Sequence, residues 1–185
     1  MPNSMKKAGT LTFRKLAFYV DSGEHSATNS LIYCLKHRKI NRVACFIAKE
    51  LLSALNAELE TIEASDDEVI ITHVPRGKRA KILHGFDQSE MVCKQITKLT
   101  NIPHVSLFRC VISKEQQKEL NSTARIKHAN DTILIRNKSD VNNKYIVLFD
   151  DIVTTGASMS ACTRQLMKAG AKGVICLSLA SRQKK

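Results

Sequence analysis

The chain has 185 residues, of which 43% are hydrophobic and 25% charged, a composition that suits one globular domain with its own core. No apolar run approaches the roughly 18 residues that cross a bilayer, and no signal-peptide core follows the N-terminal lysines, so we expect a cytoplasmic protein without membrane insertion. Lysine and arginine outnumber aspartate and glutamate by 29 to 17, and the net charge of +12 favours polyanionic partners such as nucleic acid, nucleotides or phosphorylated sugars.

Six cysteines are scattered singly through segments that we expect to be buried. None belongs to a Cys-x-x-Cys pair, and the Cys34/His37 spacing supplies only two of the four ligands that structural zinc takes. We interpret the cysteines as small buried hydrophobes in a reducing compartment, and we predict no metal bound directly by the protein. They are Cys34, Cys45, Cys93, Cys110, Cys162 and Cys176.

Residues 1–10 are predicted to form a mobile tail, 11–180 a single domain, and 181–185 a basic tail. Within the domain, apolar periodicity predicts elements in chain order: a strand at 11–20, helices at 26–37 and 41–59, a strand at 68–74, a helix at 86–99, strands at 105–112, 133–135 and 145–149, a helix at 157–169, and a strand at 174–180. Strands alternating with helices indicate a doubly wound α/β fold, with a mainly parallel sheet flanked by helices.

The segment after the strand at 145–149 carries the strongest functional signal. Asp150 and Asp151 end the apolar run, and a turn rich in hydroxyl groups leads into the next helix. A helix N-terminus at the carboxyl end of a strand suits a phosphate, while the carboxylates suit sugar hydroxyls beside it. This pattern predicts a ribose 5-phosphate site, with a simple helix cap as the alternative. The turn comprises Ile152, Val153, Thr154, Thr155, Gly156, Ala157 and Ser158.

The run Asp-Asp-Ile-Val-Thr-Thr-Gly-Ala-Ser at 150–158 resembles the signature of type I phosphoribosyltransferases for phosphoribosyl pyrophosphate (PRPP). The segments Thr-His-Val-Pro-Arg-Gly-Lys-Arg at 72–79 and His-Gly-Phe-Asp-Gln at 84–88 are similar to the ComF-type, competence-associated branch of that superfamily. His84 and Asp87 stand where its members have arginine and asparagine, and the sequence contains no cysteine-rich zinc ribbon of the kind many members carry. The resemblance implies the type I phosphoribosyltransferase fold and catalytic roles for Asp150 and Asp151.

The resemblance also implies a pyrophosphate-binding loop after the strand at 68–74, and its cations suit a leaving diphosphate. A solvated basic turn is the alternative. Mg²⁺ would be chelated by the oxygens of PRPP rather than by the protein. The polar stretch 113–130 either closes over the site, with Lys114 or Lys118 reaching inward, or stays a surface loop. The pyrophosphate-binding residues are predicted to be Arg76, Gly77, Lys78 and Arg79.

Three functions remain open at this point. The first is Mg²⁺-dependent transfer of the phosphoribosyl group of PRPP to an unknown acceptor; with three tyrosines, six phenylalanines and no tryptophan, no aromatic acceptor site is apparent. The second is a competence-associated adaptor that binds single-stranded DNA or DNA-processing proteins, with PRPP as a regulatory or vestigial ligand. The third is an unrelated α/β phosphate binder. The superfamily often dimerises, so the resemblance also implies a homodimer.

Overall fold

The computed structural model describes residues 1–19, 27–76, 82, 85–110 and 132–182. The elements in chain order are α1 (Asn3–Lys7), β1 (Thr10–Tyr19), α2 (Ala27–His37), α3 (Asn41–Thr61), a 3-10 turn (Asp66–Glu68), β2 (Val69–His73), α4 (Gln88–Thr100), β3 (Phe108–Cys110), β4 (Ile133–Ile135), β5 (Tyr145–Val153), α5 (Ala157–Lys168) and β6 (Gly173–Arg182). Within these ranges, no helix combines the length and the apolar character that crossing a membrane requires.

Four strands form one parallel sheet in the order β1–β6–β5–β2. Side chains of the central strand β5 alternate between two cores, because successive residues of a strand point to opposite faces. Ile146 and Leu148 pack in a core with residues of α5, and Val147 and Phe149 pack in a core with residues of α3 and α4. Helices therefore cover both faces of a parallel sheet, which confirms the predicted fold class.

In the described part of the chain, strands β3 and β4 form a separate two-stranded antiparallel sheet, which shares no strand pairing with the main sheet. Phe108 is opposite Ile135, and Cys110 is opposite Ile133. Of the strand predicted over 105–112, the described residues form only Phe108–Cys110. An isolated parallel bridge joins Ile71 of β2 to His104, with Val105 N donating to Ile71 O at 2.9 Å. This bridge brings the segment after α4 to the edge of the main sheet.

Residues 1–10, predicted to form a mobile tail, instead contain helix α1 and the start of β1. Met5 is fully buried in the same core as Met159 of α5, and Ser4 Oγ donates to Thr155 O at 3.1 Å. A single buried side chain in a five-residue helix leaves no periodic pattern for the sequence to reveal. At the other end, β6 continues to Arg182, and 183–185 lie outside the described residues.

Candidate functional site

The acidic pair lies within the carboxyl-terminal part of strand β5 rather than after the strand. β5 pairs with β6 through Asp150 opposite Ser178 and on to Val153 opposite Ser181, so the strand is four residues longer at its carboxyl end than the apolar run predicts. Phe149 and Ile152 both pack towards the α3 and α4 core although they are three residues apart. Strict alternation is therefore interrupted at the acidic pair, next to the carboxyl edge of the sheet.

Asp151 is the buried member of the pair and is held by protein groups. Its Oδ1 accepts from Ile152 N at 2.7 Å, and its Oδ2 accepts from Gln88 Nε2 at 2.8 Å. The Lys36 ammonium at the end of α2 lies 3.6 Å from the same Oδ2. A carboxylate with 8% residue exposure is thus supplied with donors and a cation, as a buried charge requires.

Asp150 is half-buried, and its Oδ1 accepts from Asp151 N at 3.0 Å. Desolvation by the surrounding protein, followed by the negative charge of Asp151, raises the pKa of the Asp150 carboxyl well above its ordinary value. Two carboxyl groups this close do not both ionise easily, and a ligand that donates hydrogen bonds or brings positive charge would favour the ionised form. The charge of the Asp150 carboxyl is therefore sensitive to the groups beside it.

The loop Thr154–Gly156 connects the acidic strand end to α5. Thr154 is exposed, and Thr155 and Ser158 are half-buried, so hydroxyl groups remain accessible on this turn. Gly156 has a φ of 74°, in the left-handed region, and is the N-cap of α5. The first turn of α5 presents backbone N–H groups without intrahelical acceptors, together with the positive end of the helix dipole. A phosphate fits such a turn in charge and in hydrogen bonding.

Gln88 links the acidic pair to the loop after β2. The Arg76 guanidinium donates to Gln88 Oε1, and Gln88 Nε2 donates to Asp151 Oδ2. Gln88 is 5% exposed and is the first residue of α4, whose N-cap is Asp87. The side chain of Asp87 accepts from Glu90 N at 3.3 Å, so the aspartate that replaces the family's asparagine still caps the helix.

The structure brings together the acidic pair, the hydroxyl-rich loop and Arg76, all of which the sequence predicts as site residues. Two further residues of this network were not among the predicted site residues. Gln88 stands in the motif that resembles the family, and Lys36 stands in the basic stretch that ends α2, but neither pattern reveals a shared partner in Asp151. Five predicted residues lie outside the described ones: Gly77, Lys78, Arg79, Lys114 and Lys118.

The chain is similar to several known proteins. The DNA utilization protein YhgH of Escherichia coli (strain K12) is 25% identical over 152 residues, and that of Shigella flexneri is 26% identical. Each match covers 78% of this chain and 63% of the relative, so the chain spans less than two thirds of these relatives. A purine phosphoribosyltransferase from Pyrococcus horikoshii Ot3 aligns in structure with a TM-score of 0.40 and 19% identity, covering 74% of each chain.

The family model described as the phosphoribosyl transferase domain matches residues 91–185, which are 95 of the 185 residues. The match includes the acidic end of β5, the loop and α5. This chain belongs to the phosphoribosyl transferase domain family.

Proposed function

We propose that the chain binds PRPP at the carboxyl end of β5 and transfers its phosphoribosyl group to an acceptor, with release of pyrophosphate. The observation that carries the proposal is the acidic pair followed directly by an accessible hydroxyl-rich loop and the N-terminus of α5. Acids for ribose hydroxyls beside donors for a phosphate match the two ends of a ribose 5-phosphate group.

Each group would have a separate role in binding. Asp150 would accept hydrogen bonds from the ribose hydroxyls, and the loop Thr154–Gly156 with the first turn of α5 would receive the 5-phosphate. Gln88 and Lys36 would hold the Asp151 carboxylate in place, and through Gln88 the Arg76 guanidinium would be oriented beside the site. Arg76 would then be the cation of the predicted pyrophosphate loop that meets the diphosphate.

In the proposed transfer, the bond between ribose C1 and the diphosphate oxygen breaks, and that oxygen leaves with the electron pair. A lone pair of the acceptor forms the new bond to C1, and the acceptor's proton passes to solvent. The protein would contribute mainly position and electrostatic stabilisation of the leaving diphosphate. Mg²⁺ chelated by PRPP would add positive charge beside the leaving diphosphate.

A melting-temperature measurement tests the ligand claim. PRPP with Mg²⁺ is expected to raise the melting temperature of the full chain. At a concentration 100 times the Kd, the bound ligand adds about 2.7 kcal/mol to the free energy of unfolding. The double change Asp150→Asn with Asp151→Asn should abolish the rise. Asp140→Asn is a matched control, since Asp140 is an exposed carboxylate on a turn, bonded to Asn137. No rise in the parent protein would contradict the proposal.

A second candidate function is the binding of single-stranded DNA, with PRPP as a regulatory or vestigial ligand. The observation that favours it is a group of exposed basic and aromatic side chains near the junction of α2 and α3 in the chain. Tyr33 is 56% exposed and Phe46 is 51% exposed, and exposed cations lie between them in sequence: Arg38, Lys39 and Arg42. Aromatic faces for base stacking beside cations for phosphates suit single strands, and the relatives named above are DNA utilization proteins.

Charge reversal separates the two functions. Arg38→Glu with Lys39→Glu should weaken salt-dependent retention of single-stranded DNA far more than it lowers the PRPP-induced melting shift. Lys138→Glu with Lys168→Glu changes the net charge equally at exposed positions elsewhere, and should weaken retention less. Absence of retention at low salt would remove the DNA function. Pyrophosphate release with a panel of bases and amines would favour the enzyme.

A further inference from the structure

Two histidines and a cysteine lie close together at the end of β2, in α4 and in the segment that bridges to β2. His73 ends β2 and is 4% exposed, and its Nδ1 lies 3.0 Å from Nε2 of the half-buried His104. The two rings are stacked, with centroids 5.2 Å apart. The bridge between Ile71 and His104 fixes this approach, because it anchors the His104 segment along β2.

Cys93 completes the group from helix α4. Its side chain is fully buried, and its Sγ and one nitrogen of each histidine all lie within 4.8 Å of one another. Two imidazole nitrogens and a thiol form a donor set that zinc and related transition metals take, and that Mg²⁺ and Ca²⁺ do not. The chemistry of this group therefore differs from that of the acidic pair.

The carboxylate of Asp87 lies near the second ring nitrogen of His73. Asp87 Oδ2 lies 3.6 Å from His73 Nε2, and Asp87 is 6% exposed. Its Oδ1 is fixed by Glu90 N at the start of α4, so the carboxylate cannot swing away without uncapping the helix. Metal-bound histidines commonly use their second ring nitrogen on such a carboxylate, which sets the tautomer and orientation of the ring.

We propose that His73 Nδ1, His104 Nε2 and Cys93 Sγ bind one zinc ion, with Asp87 orienting His73 through Nε2. Zinc takes Zn–N distances of about 2.0–2.1 Å and Zn–S distances of about 2.3 Å, so the two nitrogens, 3.0 Å apart, would separate by about 0.3 Å, and the sulfur would approach them by about 1.2 Å at most. The Cys93 thiol would lose its proton to solvent on binding. A fourth, non-protein ligand such as water would complete the tetrahedron.

Burial acts in opposite directions on the two kinds of ligand: it favours the neutral imidazole and opposes the thiolate. Burial, followed by the neighbouring His73, lowers the pKa of His104 to about 4, so its imidazole is neutral and has a lone pair for a metal at ordinary pH. Burial raises the pKa of the Cys93 thiol well above its ordinary value, so the thiol keeps its proton until a cation is present.

The proposed zinc site lies close in sequence to part of the candidate site. His73 lies three residues before Arg76, and Asp87, which would orient His73, directly precedes Gln88, so two of the three residues of the Arg76–Gln88–Asp151 network follow residues of the zinc site. The inference rests on the three ligands alone and holds whether or not PRPP is bound or turned over.

The test uses the full chain, stripped of metal with a chelator and titrated with Zn²⁺ alone by calorimetry and with Co²⁺ by absorption. We expect one equivalent of either ion, and a thiolate-to-cobalt charge-transfer band. His104→Ala and Cys93→Ser should each weaken Zn²⁺ binding more than 100-fold, and Asp87→Asn, which keeps the helix cap, about 10-fold to 100-fold. Cys162→Ser is the matched control, a buried cysteine in the opposite core, and should bind as the parent does.

Two results would overturn the assignment. The first is that the parent protein does not bind one equivalent of Zn²⁺ tightly, or binds Co²⁺ without the thiolate-to-cobalt band. This measurement does not depend on the folding of any variant. The second is loss of binding in Glu90→Gln but not in Cys93→Ser. That would move the ion to the carboxylate side of His73, where Asp87 and Glu90 also lie within 4.8 Å of it.

Discussion

At the scale of single residues, Gln88 has the most consequential contacts because it joins an arginine to a buried carboxylate. Gln88→Ala would leave Asp151 Oδ2 with the Lys36 ammonium at 3.6 Å but without its amide donor. A hydrogen bond to a charged group contributes about 1.5–3 kcal/mol, so we expect the free energy of unfolding to fall by about that amount. Chemical denaturation measures it, and PRPP affinity should fall in parallel.

Gln95→Ala is the control for this change, since Gln95 lies seven residues further along α4, about 10 Å away along the helix axis. An equal loss of stability in both variants would show that the bridge itself contributes little.

Asp150 gives a prediction about pH. Because its pKa is raised in the folded state, the folded chain holds this proton to higher pH than the unfolded chain does. Stability is therefore lost as pH rises from the ordinary pKa of an aspartate to the raised value, and the loss persists above it. Asp150→Asn removes that penalty, so this variant should be more stable than the parent at neutral pH. The difference should shrink in acid.

Denaturation curves over a pH series measure this difference. A variant that is less stable than the parent at neutral pH would refute the assignment of Asp150 as a destabilising, ligand-directed carboxylate. The same series followed with PRPP should show affinity rising with pH, because the ionised form accepts the ribose hydroxyls.

At the scale of elements, the junction of β5 and α5 is held by packing against α1. A Cβ added at Gly156 would lie 3.1 Å from Met5 Cγ and 3.2 Å from Pro2 Cβ, whereas one added at Gly85, where φ is also positive, would meet nothing within 4 Å. Gly85→Ala should cost about 1–2 kcal/mol of backbone strain, and Gly156→Ala that strain plus about 1–3 kcal/mol of overpacking. Equal losses in the free energy of unfolding would mean that α1 does not press on the loop.

The elements also show what the sequence could reveal. The apolar run at 145–149 and the period of α5 follow from side-chain burial, and both are visible in the sequence. The true end of β5 depends on backbone pairing with β6, and α1 on a single buried methionine, neither of which has a periodic signature. The contact between Gln88 and Asp151 joins residues 63 positions apart, which no local pattern encodes.

The cluster of His73, Cys93 and His104 illustrates the same limit. Local spacing in the sequence indicates one pair of candidate metal ligands, Cys34 and His37. The three residues of the cluster come from a strand end, a helix and a bridging segment, and only the parallel pairing of Ile71 with His104 brings them together. Sheet topology assembles this cluster, so the structure shows it although the local spacing does not.

At the scale of the whole molecule, the net charge of +12 acts on every anionic ligand. A positive field raises the local concentration of anions and is screened by salt. The apparent affinity for PRPP should therefore fall as KCl is raised, and the fall should be shallower in Arg38→Glu with Lys39→Glu. Calorimetry at several KCl concentrations checks this, and an affinity independent of salt would confine recognition to the buried contacts.

The most direct test of the central claim is calorimetric titration of the full chain with PRPP in the presence of Mg²⁺. The account predicts one PRPP bound per chain, weaker binding when Mg²⁺ is removed with a chelator, binding lost in Asp150→Asn, and binding retained in Asp140→Asn. A parent protein that gives no binding heat and no competition with a labelled PRPP, or an Asp150→Asn variant that binds as the parent does, would contradict it.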